Sequence, residues 1–215
     1  MQIVPLDAGL GAEVREVDLD KPISAAMFEA LRAAWQTHLV LVFRDQRLTD
    51  PALIRFAEGF GTIEPPGPNP YGGPLHKTHP ELNVISNIKE AGKPIGNLGD
   101  GEAVWHADMT YTDVPPLGAI LYAIELPAVG GDTHFANMYR AYEALPAALK
   151  EQLSSLRAIH DASHNSAGIL RRGYEPVTDV TKTPGAVHPL VRTNAATGKR
   201  CLFLGRRPRS YVPGL

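Results

Sequence analysis

Prolines and glycines cut this sequence into short pieces, and that limits what it can fold into. The chain has 19 Pro and 20 Gly, together 39 of its 215 residues. That share lies below the roughly 25–30% of low-complexity chains, and it calls for many turns, hence β structure or long loops. Helical periodicity survives only between the breaks. Ser24 is placed to cap a helix whose apolar positions are Met27, Phe28, Leu31, Ala34 and Trp35, spaced by three and four. Leu39 to Phe43 is short and rich in β-formers, which predicts a buried strand. Asp50 as cap, with Pro51 at the first helical position, starts a second helix that stops near Gly59 and Gly61.

Beyond that helix the pattern changes. Residues 65–74 form a proline-rich loop, and a loop of that length inside a domain is more often functional than filler. Strands are predicted over 82–86, 118–126 and 157–162. Asn137 caps a short helix, and Pro146 starts another with Leu149, Leu153 and Leu156 on one face. Residues 186–193 and 200–204 read as two strands of a hairpin joined across 194–198. Helices come mainly early and strands mainly late, with no internal repeat. The expectation is one mixed domain over residues 1–215, α+β, or a β-barrel or sandwich with helical decoration.

Charge and composition remove several classes. Lys+Arg 21 against Asp+Glu 23 gives a net charge of −2, which argues against a nucleic-acid-binding surface. The tail Arg206-Arg207-Pro208-Arg209 reads as a solvated or partner-facing stretch. No stretch approaches the roughly 18 consecutive apolar residues of a membrane-spanning helix, so no membrane association is expected. The first residues lack the basic and apolar regions of a signal peptide. Cys201, the single cysteine, is expected to be a buried thiol in a reduced, cytoplasmic protein.

The stretch that carries chemistry is Trp105-His106-Ala107-Asp108. In a strand, residues two apart share a face, so His106 and Asp108 would set an imidazole nitrogen beside a carboxylate oxygen. Those are two corners of a 2-His-1-carboxylate site, which leaves open positions on Fe(II) for a chelating cosubstrate and O2. Taken alone, the same pattern also describes a histidine bonded to a nearby carboxylate. A zinc hydrolase would use the same two residues, but no H-E-x-x-H or other zinc spacing accompanies them.

The surrounding sequence adds context. Met109-Thr110-Tyr111 and the Pro115-Pro116 turn follow the motif, then Gly118 to Ala123, Glu125-Leu126-Pro127 and Gly130-Gly131-Asp132-Thr133-His134-Phe135. Leu39 to Gln46 and Phe60-Gly61 lie upstream, while Tyr142 to Pro146, His160-Asp161, Val187 to Thr193 and Cys201-Leu202-Phe203 lie downstream. In this order the motifs resemble the taurine/2,4-dichlorophenoxyacetate dioxygenase family across essentially the whole chain. The resemblance implies a distorted jelly roll, a double-stranded β-helix with flanking helices. It implies an enzyme that uses Fe(II), 2-oxoglutarate and O2 to oxidise a small organic acid of the sulfonate, sulfate ester or aryloxyacetate class. His106 and Asp108 would be iron ligands, and Thr133 would bind the distal carboxylate of 2-oxoglutarate through its hydroxyl. Tyr71 and Asn97 would contact substrate.

The family supplies a further iron-binding His and a 2-oxoglutarate-binding Arg roughly 150 residues after the first ligand. This chain continues for 109 residues after His106. On the resemblance, the last strands, that His and that Arg fall outside it. His188, within the His188-Pro189-Leu190-Val191-Arg192-Thr193 strand, is not a substitute. The 215-residue chain is therefore expected to bind Fe(II) weakly, to turn over nothing, and to self-associate through exposed sheet edges as a homo-oligomer. The runner-up reading is a catalytically inactive truncated or degenerate member acting as a binding protein. Trp105 is expected in the core, His76 and His79 at the surface or in a substrate pocket, and His134, His160 and His164 in structural or exposed positions.

Overall fold

A computed structural model describes residues 1–66, 76–96, 104–205 and 207–215. They group into two units. One comprises Met1–Ile63, Ile120–Asn137 and Ala195–Gly198; the other comprises Glu64–Ala119, Met138–Asn194 and Lys199–Leu215.

The first unit is built around α1 (Ala25–His38), which starts where the sequence requires: the Ser24 hydroxyl accepts from the Met27 N–H at 3.2 Å. Its end differs from expectation. Leu39 adopts φ 70° and caps the helix, its N–H donating to the Trp35 carbonyl. That leaves only β3 (Leu41–Val42) of the predicted 39–43 strand, half-buried and parallel to β2 (Ala12–Arg15). β1 (Gln2–Pro5) pairs antiparallel with the other edge of β2. The second helix, α2 (Asp50–Glu58), is capped by Thr49 and not by Asp50: the Thr49 hydroxyl accepts from Ala52 N–H, and Asp50 stands in the first turn, where its charge suits the helix dipole. Arg32 of α1 donates to the carbonyls of Gly59 and Phe60 and so closes the end of α2.

Leu31 of α1 and Phe56 of α2 meet Val14 and Leu19 in the core of this unit. The ring of Phe56 contacts Phe28, Phe43 and Phe60 with centroids 5.4–6.0 Å apart.

In the second unit, β4 (Lys89–Glu90) and β5 (Lys93–Pro94) form a small hairpin whose turn residues Ala91 and Gly92 both have positive φ. α3 (Met138–Glu143) begins directly after Asn137 and packs against β9 (Arg200–Leu202), burying Tyr142. α4 (Ala147–Ser154) follows Pro146 and buries none of its residues. β6 (Arg157–Asp161) pairs antiparallel with β7 (Gly185–Pro189), while β8 (Val191–Thr193) forms a hairpin with β9. The predicted strand over 186–193 is thus two strands. The chain turns at Leu190, whose N–H donates to the Leu156 carbonyl, and the halves pair with different partners.

Two other predicted strands do not form. Residues 82–86 and 118–126 have no ladder partner among the described residues. Strand propensity reports fit to a pleated, half-buried surface, and without a neighbouring strand it has nothing to act on. Leu121, Ile124 and Leu126 are accordingly exposed. Tyr122 alone is tied down, its hydroxyl accepting from Leu48 N–H at 3.0 Å. No helix among the described residues is long and apolar enough to cross a membrane.

His160 lies at the centre of the second unit, fully buried, with its ring stacked on Phe203 and edge-on to His188. Two glycines make that position accessible to the backbone. A Cβ at Gly185 would meet the His160 carbonyl oxygen at 1.9 Å, and one at Gly205 would meet the His160 ring at 2.5 Å. Neither ring nitrogen of His160 has a hydrogen-bond partner among the described residues. Burial, with the nearby charges of His188, Arg192 and Arg207, lowers its pKa from 6.5 to about 4.

Two outcomes follow from this packing. Phe56→Ala is expected to cost about 3–5 kcal/mol, read as a lower urea midpoint by circular dichroism. His160 stays neutral in the fold while the unfolded chain takes up a proton, so stability falls with pH through the window from 6.5 down to about 4. The loss across that window is on the order of 3 kcal/mol. His160→Leu is expected to flatten the dependence in thermal melts between those limits, and an unchanged slope would rule out His160 as its source.

Candidate functional site

His106 and Asp108 stand side by side, but in a turn and not in a strand. The segment before them is fixed by the Val104 N–H, which donates to the Ser166 carbonyl at 3.1 Å. Met109 takes φ 47°, and Thr112 closes the turn by donating to the Met109 carbonyl from both its N–H and its hydroxyl. β7 then holds the far end. Ala186 N–H donates to the Tyr111 carbonyl at 3.0 Å, and His188 Nε2 donates to that of Thr112 at 2.9 Å. The juxtaposition that a strand would have produced by its two-residue repeat is produced here by a tight turn anchored at both ends.

The pair itself has a definite electronic state. His106 Nδ1 lies 2.7 Å from the Val104 carbonyl oxygen, which can only accept, so Nδ1 carries a proton. In the neutral ring the lone pair is then on Nε2, which faces Asp108 Oδ1 at 3.1 Å. A lone pair and a carboxylate at that distance repel unless a cation lies between them, either a proton on Nε2 or a metal ion. The pKa shifts express the same fact. The Asp108 hydrogen bond raises His106, and the His106 hydrogen bond lowers Asp108. Arg207 also acts on both, opposing a charge on His106 and favouring one on Asp108, to which Arg171 contributes as well. The His106 side chain is 26% accessible and that of Asp108 62%, so a ligand can reach them.

The donor set fits a divalent metal. Two ligand atoms at right angles on one ion, each at about 2.1 Å, lie roughly 3.0 Å apart. The observed separation is 3.1 Å. One imidazole nitrogen and one carboxylate oxygen are a mixed set suited to Fe(II), and the Val104 carbonyl provides the outer contact that orients the ring.

The other predicted site residues are distributed as follows. Thr133 belongs to the first unit and is exposed in a segment without regular structure. Tyr71 and Asn97 lie outside the described residues. Trp105 is 52% exposed and is not a core residue, because the turn directs it outward where a strand would have buried it. His76 and His79 pair with ring centroids 5.4 Å apart, and His76 Nδ1 accepts from the backbone N–H of Thr78 and His79. Cys201 is a half-buried free thiol whose pKa is pushed up by burial, which keeps it unreactive.

Sequence reasoning missed Arg207. Read as part of a solvated or partner-facing tail, it is instead half-buried, with Nη1 closed off from water. The signal was ambiguous, since the arginine-rich stretch 206–209 has the same composition whether it faces solvent or a site. Ser163, His164 and Asp161 also cluster, but not as a nucleophilic triad. Ser163 is fully buried, and its hydroxyl and Asp161 Oδ2 both address the same ring nitrogen, Nδ1 of His164.

Comparison with known proteins gives a consistent picture. Residues 2–215 match the family described as taurine catabolism dioxygenase TauD, TfdA family. The chain is 35% identical to the (S)-phenoxypropionate/alpha-ketoglutarate-dioxygenase of Delftia acidovorans, covering 100% of this chain and 74% of that protein. It is 31% identical to the alpha-ketoglutarate-dependent sulfate ester dioxygenase of Pseudomonas putida, covering 95% of this chain and 66% of that protein. The structure is similar to the crystal structure of a taurine dioxygenase from Burkholderia xenovorans, with TM-score 0.73 and 30% identity over 100% of this chain and 66% of that one. The chain thus spans between about two thirds and three quarters of the length of these relatives.

Proposed function

This chain belongs to the taurine catabolism dioxygenase TauD, TfdA family, and from that premise we propose that it serves a Fe(II)- and 2-oxoglutarate-dependent dioxygenase that oxidises a small organic acid. Relatives of the chain are alpha-ketoglutarate-dependent dioxygenases, and the family uses Fe(II), 2-oxoglutarate and O2. The observation that carries the reading to particular residues is the His106 Nε2–Asp108 Oδ1 pair, which needs a cation and has the separation of two adjacent metal ligands. In this reading residues 1–215 form part of one distorted jelly-roll domain, for which the similarity to the solved taurine dioxygenase is the support.

The chain's own residues do the following. Val104 holds the proton on His106 Nδ1 and so keeps Nε2 available as a ligand. Asp108, held below the usual carboxylate range, stays anionic and supplies the second donor. The Thr133 hydroxyl donates to the distal carboxylate of 2-oxoglutarate. Fe(II) bound by His106 and Asp108 would supply the O2 chemistry that couples conversion of 2-oxoglutarate to succinate and CO2 with hydroxylation of the substrate. Relatives named for a phenoxypropionate and for sulfate esters support the substrate class. Both are small organic molecules with an oxyanionic group.

Mn(II) binding followed by electron paramagnetic resonance tests the reading. His106→Ala and Asp108→Asn are each expected to weaken Mn(II) binding by about tenfold or more. Equal binding by wild type and both variants would sink it. Succinate release in the presence of Fe(II), 2-oxoglutarate and a panel of sulfonates, sulfate esters and aryloxyacetates then identifies the substrate.

A further inference from the structure

Two arginines of the second unit converge on one aromatic ring beside the His106–Asp108 pair. Arg171 places its guanidinium carbon 4.1 Å from the centre of the Tyr111 ring, and Arg207 places its own at 5.9 Å from the same ring. Tyr111 follows Asp108 in the same turn, which brings the arginines to the edge of the pair. Neither has a carboxylate within ion-pair distance among the described residues. Arg207 Nη1 is buried and donates to nothing among those residues. A buried charged donor without an acceptor is unfavourable, and native structures rarely keep one unless something else supplies the acceptor.

The loops that carry these arginines are held in place. Arg171 N–H donates to the Ser163 carbonyl at 2.7 Å. Arg207 lies in a turn closed by Ser210 N–H donating to its carbonyl, and the Ser210 hydroxyl accepts from Asp161 N–H. Two planar donor forks on anchored loops, facing one ring, form a preorganised receptor for a planar or tetrahedral oxyanion.

We propose that Arg171 and Arg207, positioned over Tyr111, form the subsite that takes the carboxylate, sulfonate or sulfate group of the organic substrate and so presents its neighbouring C–H to the His106–Asp108 centre. The assignment rests on the dioxygenase reading for the identity of the centre, but not for the existence of the subsite. The same oxyanion chemistry could come from 2-oxoglutarate, so the experiment separates the two sources.

Calorimetric titration of the 215-residue chain, with and without Mn(II), uses 2,4-dichlorophenoxyacetate, its methyl ester, inorganic sulfate and 2-oxoglutarate as probes. The wild type is expected to bind 2,4-dichlorophenoxyacetate and sulfate competitively, more tightly with Mn(II), and not to bind the ester. Arg171→Gln and Arg207→Gln are each expected to weaken both anions by about tenfold or more. Arg207→Lys, which keeps the charge but loses the fork, should fall between. Lys21→Gln, which removes an exposed charge of the first unit, should keep anion affinity within about threefold. No saturable anion binding by the wild type overturns the subsite, and so does unchanged affinity in the Gln variants. If 2-oxoglutarate competes with the probe and suffers the same loss in the variants, the subsite belongs to the cosubstrate and the assignment fails. Anion binding without Mn(II) binding sinks the dioxygenase reading and keeps the subsite; Mn(II) binding without anion binding does the reverse.

Discussion

The carboxylate of Asp161, with no accessible surface, is the joint on which the second unit depends. Its Oδ1 accepts from the Ser163 N–H at 2.7 Å and from the Ser163 hydroxyl. Its Oδ2 takes the His164 ring at 2.8 Å and the Arg209 N–H. These bonds clamp the end of β6 to two loops that are far apart in sequence, one carrying Arg171 and the other Arg207. A buried carboxylate is tolerable only when its lone pairs are satisfied, and here two backbone N–H groups, the Ser163 hydroxyl and the His164 ring satisfy them. The loops are therefore ordered by the same contacts that make burial of the charge affordable in free-energy terms.

The His106–Asp108 pair depends on that frame less directly. Its turn is anchored by Ser166 on one side and by β7 on the other. The result is a histidine whose Nδ1 proton is committed to Val104 and whose Nε2 confronts a carboxylate. Left alone, that arrangement demands a proton. Supplied with a divalent cation, it offers two adjacent ligands. The arginines beside Tyr111 add positive charge at its margin, which suits an anionic molecule brought beside the pair.

Much of the helical architecture was legible in the sequence. Ser24, the apolar spacing through Trp35 and Pro51 near the start of α2 are local signals, and local signals act within one or two turns of chain. The β8–β9 hairpin was legible for a similar reason, since its β-formers have a near partner, and β6 was legible from its own β-formers although its partner β7 lies well beyond it in the chain. The run 118–126 carries the same kind of signal without forming a strand, because pairing is not a property of the run itself. Thr49 displaced Asp50 as the cap by one residue, a shift that composition cannot resolve because either side chain can accept there.

The sequence by itself determined which candidate donors the chain offers: an imidazole and a carboxylate two residues apart, a threonine in a glycine-rich setting, and the order of motifs that marks the family. Those are covalent facts, fixed by spacing along the chain. Only the tertiary structure decided that His106 and Asp108 meet across a turn, that His160 is buried without a partner, and that Arg207 leaves solvent to join Arg171 at Tyr111. Each of these is a question of dielectric and of distance between residues remote in sequence. Such questions are settled when turns and loops are pinned by residues remote in sequence, as Val104 is by Ser166 and Tyr111 by Ala186, a scale on which neither propensity nor periodicity carries information.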